Sequence, residues 1–158
     1  MGKTNFTVDK ENLQVMAGRI FDAPKEAVWK ACTDPKLLTQ WWGPRNMTMT
    51  VDKMEFRVGG EWRFIHKDPA GNEYGFHGVY KVIEPMDKVI DTFNFEGIPA
   101  GHELVETLTL EEVEGGKTKM TTTAQYANIQ DLEGMINSGM EKGQTESIDR
   151  LAELVEKK

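Results

Sequence analysis

The chain is poor in the residues that usually announce chemistry. It has one cysteine, Cys32, so it cannot form an internal disulfide, which fits a reducing compartment. It has three histidines, His66, His77 and His102, none three or four residues from another, and no Cys-x-x-Cys pair. No metal site and no cofactor are therefore expected. No apolar run approaches the roughly 18 residues of a membrane helix, and the first residues carry no apolar signal core. Positive charge is also short. Lys and Arg total 19 against 26 Asp and Glu, a net charge of −7, and no basic patch gathers them. A phosphate-backbone partner is excluded on that ground. The expectation is a cytoplasmic, monomeric or homodimeric domain with neither nucleic acid nor membrane span.

What is present is pattern. At 158 residues with 39% hydrophobic residues, the chain can bury one sizeable core, and no linker or repeat divides it. We read one domain over residues 1–158, with its core at about 12–156. "LQVMAGRIFDA" has strand character, and "PKEAVWKACTD" then turns to helical period. Asp34-Pro35 reads as an N-cap followed by a first-turn proline. It starts a second short helix that ends at "WWGP". From residue 46 to about 126 the pattern is β. "DPAGN", Glu84-Pro85-Met86-Asp87 and Glu114-Gly115-Gly116 supply the turns. The tail returns to helical period, with Ser138 and Glu141 spaced as a capping box. The fold class is α+β: a curved antiparallel sheet of six or seven strands, two short helices after the first strand, and a long C-terminal helix across the concave face.

At this point "RIFDAPKEAVWKACTDPKLLTQWWGP" resembles the opening of the START-like, or SRPBCC, superfamily. The group it is most similar to is the one homologous to the C-terminal domain of the activator of the heat-shock protein 90 ATPase. "VGGEWRF", "GFHGVYKVIEP" and "GMEKGQTESIDRLAELV" extend the likeness over most of the chain. The resemblance implies a helix-grip fold around a hydrophobic cavity. Superfamily members include lipid binders, polyketide cyclases, resistance proteins and co-chaperone domains. Function must therefore be argued from the site.

Three function classes follow. The leading one is binding of a small hydrophobic or amphipathic molecule in the cavity. The second is a co-chaperone-like or stress-related interaction domain with a chaperone as partner. The third is a cyclase- or hydrolase-type enzyme using a cavity carboxylate or histidine. Period-two alternation places Trp62, Phe64 and His66 on one face, opposite Phe76 and Tyr80, and sends His77 to the other. Phe93, Met54 and Met120 add lining. Glu106 shares parity with Leu104, Leu108 and Leu110, where desolvation would raise its pKa. Asp91 is a carboxylate of undecided facing. On the last helix Met140, Gln144 and Ser147 form a softer, more polar half-stripe, and Gly143 is expected to leave room. Of the paired tryptophans, Trp41 is expected to anchor its helix and Trp42 to lean over the cavity mouth. Glu106 and His66 are the weak catalytic candidates.

Overall fold

The computed structural model describes residues 3–98 and 101–156. Its elements run β1 (Asn5–Asp9), β2 (Gln14–Phe21), α1 (Lys25–Thr33), α2 (Pro35–Trp41), β3 (Thr48–Met54), β4 (Glu61–Lys67), β5 (Glu73–Glu84), β6 (Lys88–Phe95), β7 (Leu104–Val113), β8 (Lys117–Gln125), α3 (Ile129–Asn137) and α4 (Met140–Val155). The strands form one antiparallel sheet in the order β1-β2-β8-β7-β6-β5-β4-β3. It stays open, with β1 and β3 as its edges, and the helices cover its concave face. This is the helix-grip arrangement. Among the described residues no helix is long and apolar enough to cross a membrane.

The turns and caps follow from local chemistry. The Asp34 carboxylate accepts the Lys36 amide at 2.8 Å and starts α2. Asp68 and Asn72 close the β4–β5 hairpin, with the Asp68 amide on the Asn72 carbonyl at 3.0 Å. That short turn fixes the expected register: Phe64 lies opposite Phe76, His66 opposite Tyr74, and Arg63 opposite His77.

Three expectations are corrected. The sheet has eight strands, because Asn5–Asp9 adds an edge strand on β2 ahead of the expected core start at residue 12. A further helix, α3, lies between β8 and α4. It is capped by Asn128, which accepts from the Asp131 amide at 2.8 Å, and pinned by Leu132, 0% exposed. Ser138 does not cap α4. It closes α3, donating its hydroxyl to the Met135 carbonyl at 2.6 Å, and Gly139 (φ 85°) begins α4 instead. The left-handed turn between two abutting helices needs a glycine, which leaves no place for a serine cap there.

α4 is tied to the end of α2 along its middle. The Arg150 guanidinium donates to the carbonyls of Gln40, Gly43 and Pro44 at 2.8, 3.0 and 3.2 Å. Glu146 accepts the Arg45 amide at 3.2 Å, and Arg45 pairs with Glu153. Gly43 is required at this corner. Its φ is +103°, and a β-carbon there would lie 2.6 Å from the His66 ring.

Candidate functional site

Between the concave face of the sheet and α4 lies a cavity of about 300 Å³. Its floor is built in rows that run across the strands. One row contains Val15 (β2), Ala124 (β8), Glu106 (β7), Asp91 (β6) and Tyr80 (β5), each directly opposite the next in the ladder. All five line the cavity. Flanking positions on the same face are apolar: Phe93 opposite Leu104 on one side, Val89 opposite Leu108 on the other. Met135 of α3 and Met140, Gln144, Ser147 and Ile148 of α4 complete the enclosure. Gln144 reaches down to the Thr122 hydroxyl at 3.3 Å, so the helix touches the floor through a polar bridge.

The carboxyls of Asp91 and Glu106 are the distinctive polar groups. As direct cross-strand neighbours on one face, their β-carbons are about 5 Å apart. Burial pushes Glu106 up to about 7. Asp91 is raised well above the ordinary carboxylate range, first by burial and then by the neighbouring Glu106 charge. No Lys, Arg or His lines the cavity, and neither carboxyl is in an ion pair among the described residues. The two phenols nearby are also held protonated. Tyr80 is raised by burial and then by Asp91, and Tyr126 is pushed up to about 12 by burial and then by Glu106. Cys32, also in the wall, is pushed up to about 12 by burial, which keeps it a thiol.

The sequence-predicted residues divide cleanly. Trp42, Trp62, Phe64, Tyr80 and Phe93 line the cavity, as do Glu106, Met120, Met140, Gln144 and Ser147. Met54, His66 and Phe76 do not, which corrects their expected placement. Met54, at the end of the edge strand β3, lies opposite Trp62 and packs, partly buried, against the hydrophobic core. His66 and Phe76 stand behind Trp42, whose ring centroid lies 4.7 Å from His66 and 5.5 Å from Phe76. Trp42 is thus the hub of an aromatic cluster, touching Phe64, His66, Phe76 and Phe93, and it lines the cavity. His66 is buried, 6% exposed, with Nε2 unpartnered. Burial lowers its pKa to about 4, against a hydrogen bond with the Trp42 backbone that opposes the shift. It is a neutral core histidine, set off from the cavity. His77 sits on the opposite face of the sheet, 3.0 Å from Glu96.

Trp41 anchors α2 as expected, with its indole N–H donating to the Ala31 carbonyl at 2.8 Å, and it also lines the cavity. Tyr126 was missed as a site residue, and Asp91, whose facing the sequence left open, lines the cavity. The alternation Val89, Asp91, Phe93, Phe95 in "KVIDTFNF" is the signal that places Asp91 inside. Gly143 leaves no room in the cavity. A β-carbon there would meet Pro44 at an ordinary 3.8 Å.

Comparison with known proteins adds a family and a set of folds. The sequence model described as Activator of Hsp90 ATPase homolog 1-like protein matches residues 22–156. Comparison with curated proteins finds no match. Among solved structures, a protein of Arthrobacter aurescens is 26% identical with a TM-score of 0.89, over 98% of this chain and 92% of that one. A protein of Rhodobacter sphaeroides is 27% identical with a TM-score of 0.84, over 96% of each chain. CalU16 of Micromonospora echinospora is 21% identical with a TM-score of 0.63, over 98% of this chain and 86% of that one.

Proposed function

The chain belongs to the family of Activator of Hsp90 ATPase homolog 1-like proteins, and from that membership and its cavity together we propose that it binds a small hydrophobic or amphipathic molecule. The observation that carries this reading is the cavity beneath α4. It holds about 300 Å³, is lined chiefly by apolar and aromatic side chains, and has a few convergent polar groups. That combination is the usual constitution of a small-molecule site. The START-like fold supports a ligand-binding domain in general. A panel of hydrophobic aromatic and aliphatic compounds, followed by tryptophan fluorescence and thermal shift, tests the proposal. Trp41, Trp42 and Trp62 all face the cavity, so an occupant is expected to change their emission. A panel that leaves both emission and Tm unchanged sinks it.

A second reading, acid–base catalysis on the bound molecule, is favoured by one observation. Glu106, raised to about 7, can give or take a proton at neutral pH. Conversion of a bound panel compound to product, lost in Glu106→Gln, would establish that reading, and recovery of every compound unchanged would remove it.

A further inference from the structure

We infer that the ligand of this cavity is a hydrophobic molecule carrying a basic nitrogen, whose ammonium is received between Asp91 and Glu106. The inference rests on the cavity-binding reading above and names the chemical class that this wall recognises.

Two carboxyls stand side by side in a floor whose other polar groups are uncharged, and among the described residues no cationic side chain lines the space with them. The other titratable groups that face the pair are Tyr80 from β5, Tyr126 beyond β8 and Cys32 from α1, and all three are held neutral. α4 presents Gln144 and Ser147, which carry no charge. Ser147 is already spent on the Trp41 carbonyl and the Gly43 amide. The missing partner of this pair is therefore a cation, and no described residue lining the cavity supplies it.

Electrostatics then ranks the candidates. An ammonium between the carboxyls replaces mutual repulsion with two attractive contacts in a medium of low polarity. A neutral alcohol gains only an ordinary hydrogen bond from a protonated carboxyl. A carboxylic acid of the same shape would bring a third anionic group to a site without a cation. Its ionised form is disfavoured there by the same repulsion that acts between Asp91 and Glu106. The apolar remainder of the cavity takes the hydrocarbon or aromatic body. Aromatic rings near the pair, Tyr80 and Phe93, also suit a cation.

Proton movement gives the binding its signature. At neutral pH the unliganded pair holds at least part of its protons. A ligand arriving as ammonium must drive a carboxyl to ionise, and that proton leaves to solvent. Affinity for the amine accordingly rises with pH across the titration of the pair.

The test is calorimetry with three probes of one skeleton: naphthylethylamine, naphthylethanol and naphthylacetic acid. The amine is expected to bind about tenfold or more tighter than the alcohol, a gap of one order in Kd. The acid is expected to bind weakest. Amine binding should release protons in buffers of different ionisation enthalpy, and the alcohol should release none. In a double variant with Asp91→Asn and Glu106→Gln, the amine should lose its advantage while the alcohol still binds. Should the variant fail to fold, proton release and the pH dependence of the unaltered protein decide the matter alone. If the alcohol or the acid binds as tightly as the amine, or amine binding releases no proton, the inference falls and the cavity reading stands. If none of the three binds while another compound of the hydrophobic panel does, the inference falls and the cavity reading stands; if no panel compound binds either, both fall.

Discussion

Ser147 on α4 donates its hydroxyl to the Trp41 carbonyl at 3.1 Å, and the same oxygen accepts the Gly43 amide at 3.0 Å. One side chain thus ties the long helix to both sides of the "WWGP" corner. Replacing Ser147 by alanine leaves two backbone groups without partners in a buried place. Urea denaturation should show a loss of about 1–3 kcal/mol. An unchanged midpoint would mean that the corner holds without this bridge.

His66 and the carboxyl pair give stability opposite pH dependences. The folded pKa of His66, about 4, lies below its ordinary 6.5. The unfolded chain therefore binds more protons in that window, and stability falls as pH drops from about 6.5 to 4. Glu106 is raised from 4.5 to about 7. The folded chain then binds more protons, so this contribution is present below about 4.5 and is lost as pH rises toward 7. Each effect is on the order of 3 kcal/mol. The Glu106→Gln variant should be more stable than the parent at pH 8, and His66→Phe should flatten the acid side. Denaturation midpoints across pH check both, and parallel profiles for parent and variants would contradict them.

Gly143 lies inside α4 with an ordinary 3.8 Å separation between an added β-carbon and Pro44. Gly143→Ala should raise stability by about 0.5–1 kcal/mol. Gly78→Ala is the contrasting case, since its β-carbon would fall 1.8 Å from the Thr92 carbonyl oxygen. Thermal melts should move upward for the first and sharply downward for the second.

Cys32 should resist alkylation in the native protein. Its thiol is half-buried in the cavity wall and pushed up to about 12. A small alkylating reagent is expected to modify it on unfolding and only slowly before. Rapid native labelling at neutral pH, read by mass spectrometry, would contradict that.

Ala124 sits beside Glu106 in the floor row. Enlarging it to leucine should occupy part of the cavity and weaken any hydrophobic probe, the neutral alcohol included. Titration of the same probe into parent and variant reads the effect, and equal affinities would place the probe elsewhere.

The parts legible in the sequence are those where a short period meets a fixed turn. The Asp68–Asn72 turn pins β4 on β5, so one alternation settles which of His66 and His77 faces inward. Leu104, Leu108 and Leu110 orient Glu106 in the same way. Depth along a strand is another matter. His66 has the parity of a cavity residue, yet Trp42 stands between it and the cavity, and no periodicity encodes that. Asp91 was ambiguous because apolar residues occupy both faces of β6, Val89 and Phe93 on one and Ile90 on the other. β1 is an edge strand whose residues are at most half-buried, so its pattern is faint. α3 carries a helical stripe, Ile129, Leu132, Met135 and Ile136, but it spans only nine residues and only Leu132 in it is fully buried, so it is faint beside the longer stripe of α4.

The floor row draws Val15, Ala124, Glu106, Asp91 and Tyr80 from five different strands. Neighbours in that row are 11 to 109 residues apart along the chain. Any one of them can change without altering a turn, a cap or the position before or after it, which points to the other face. The chemistry of the cavity is therefore written in separate, exchangeable letters on an unchanging frame. A single substitution in the row is enough to change the polarity of the cavity floor.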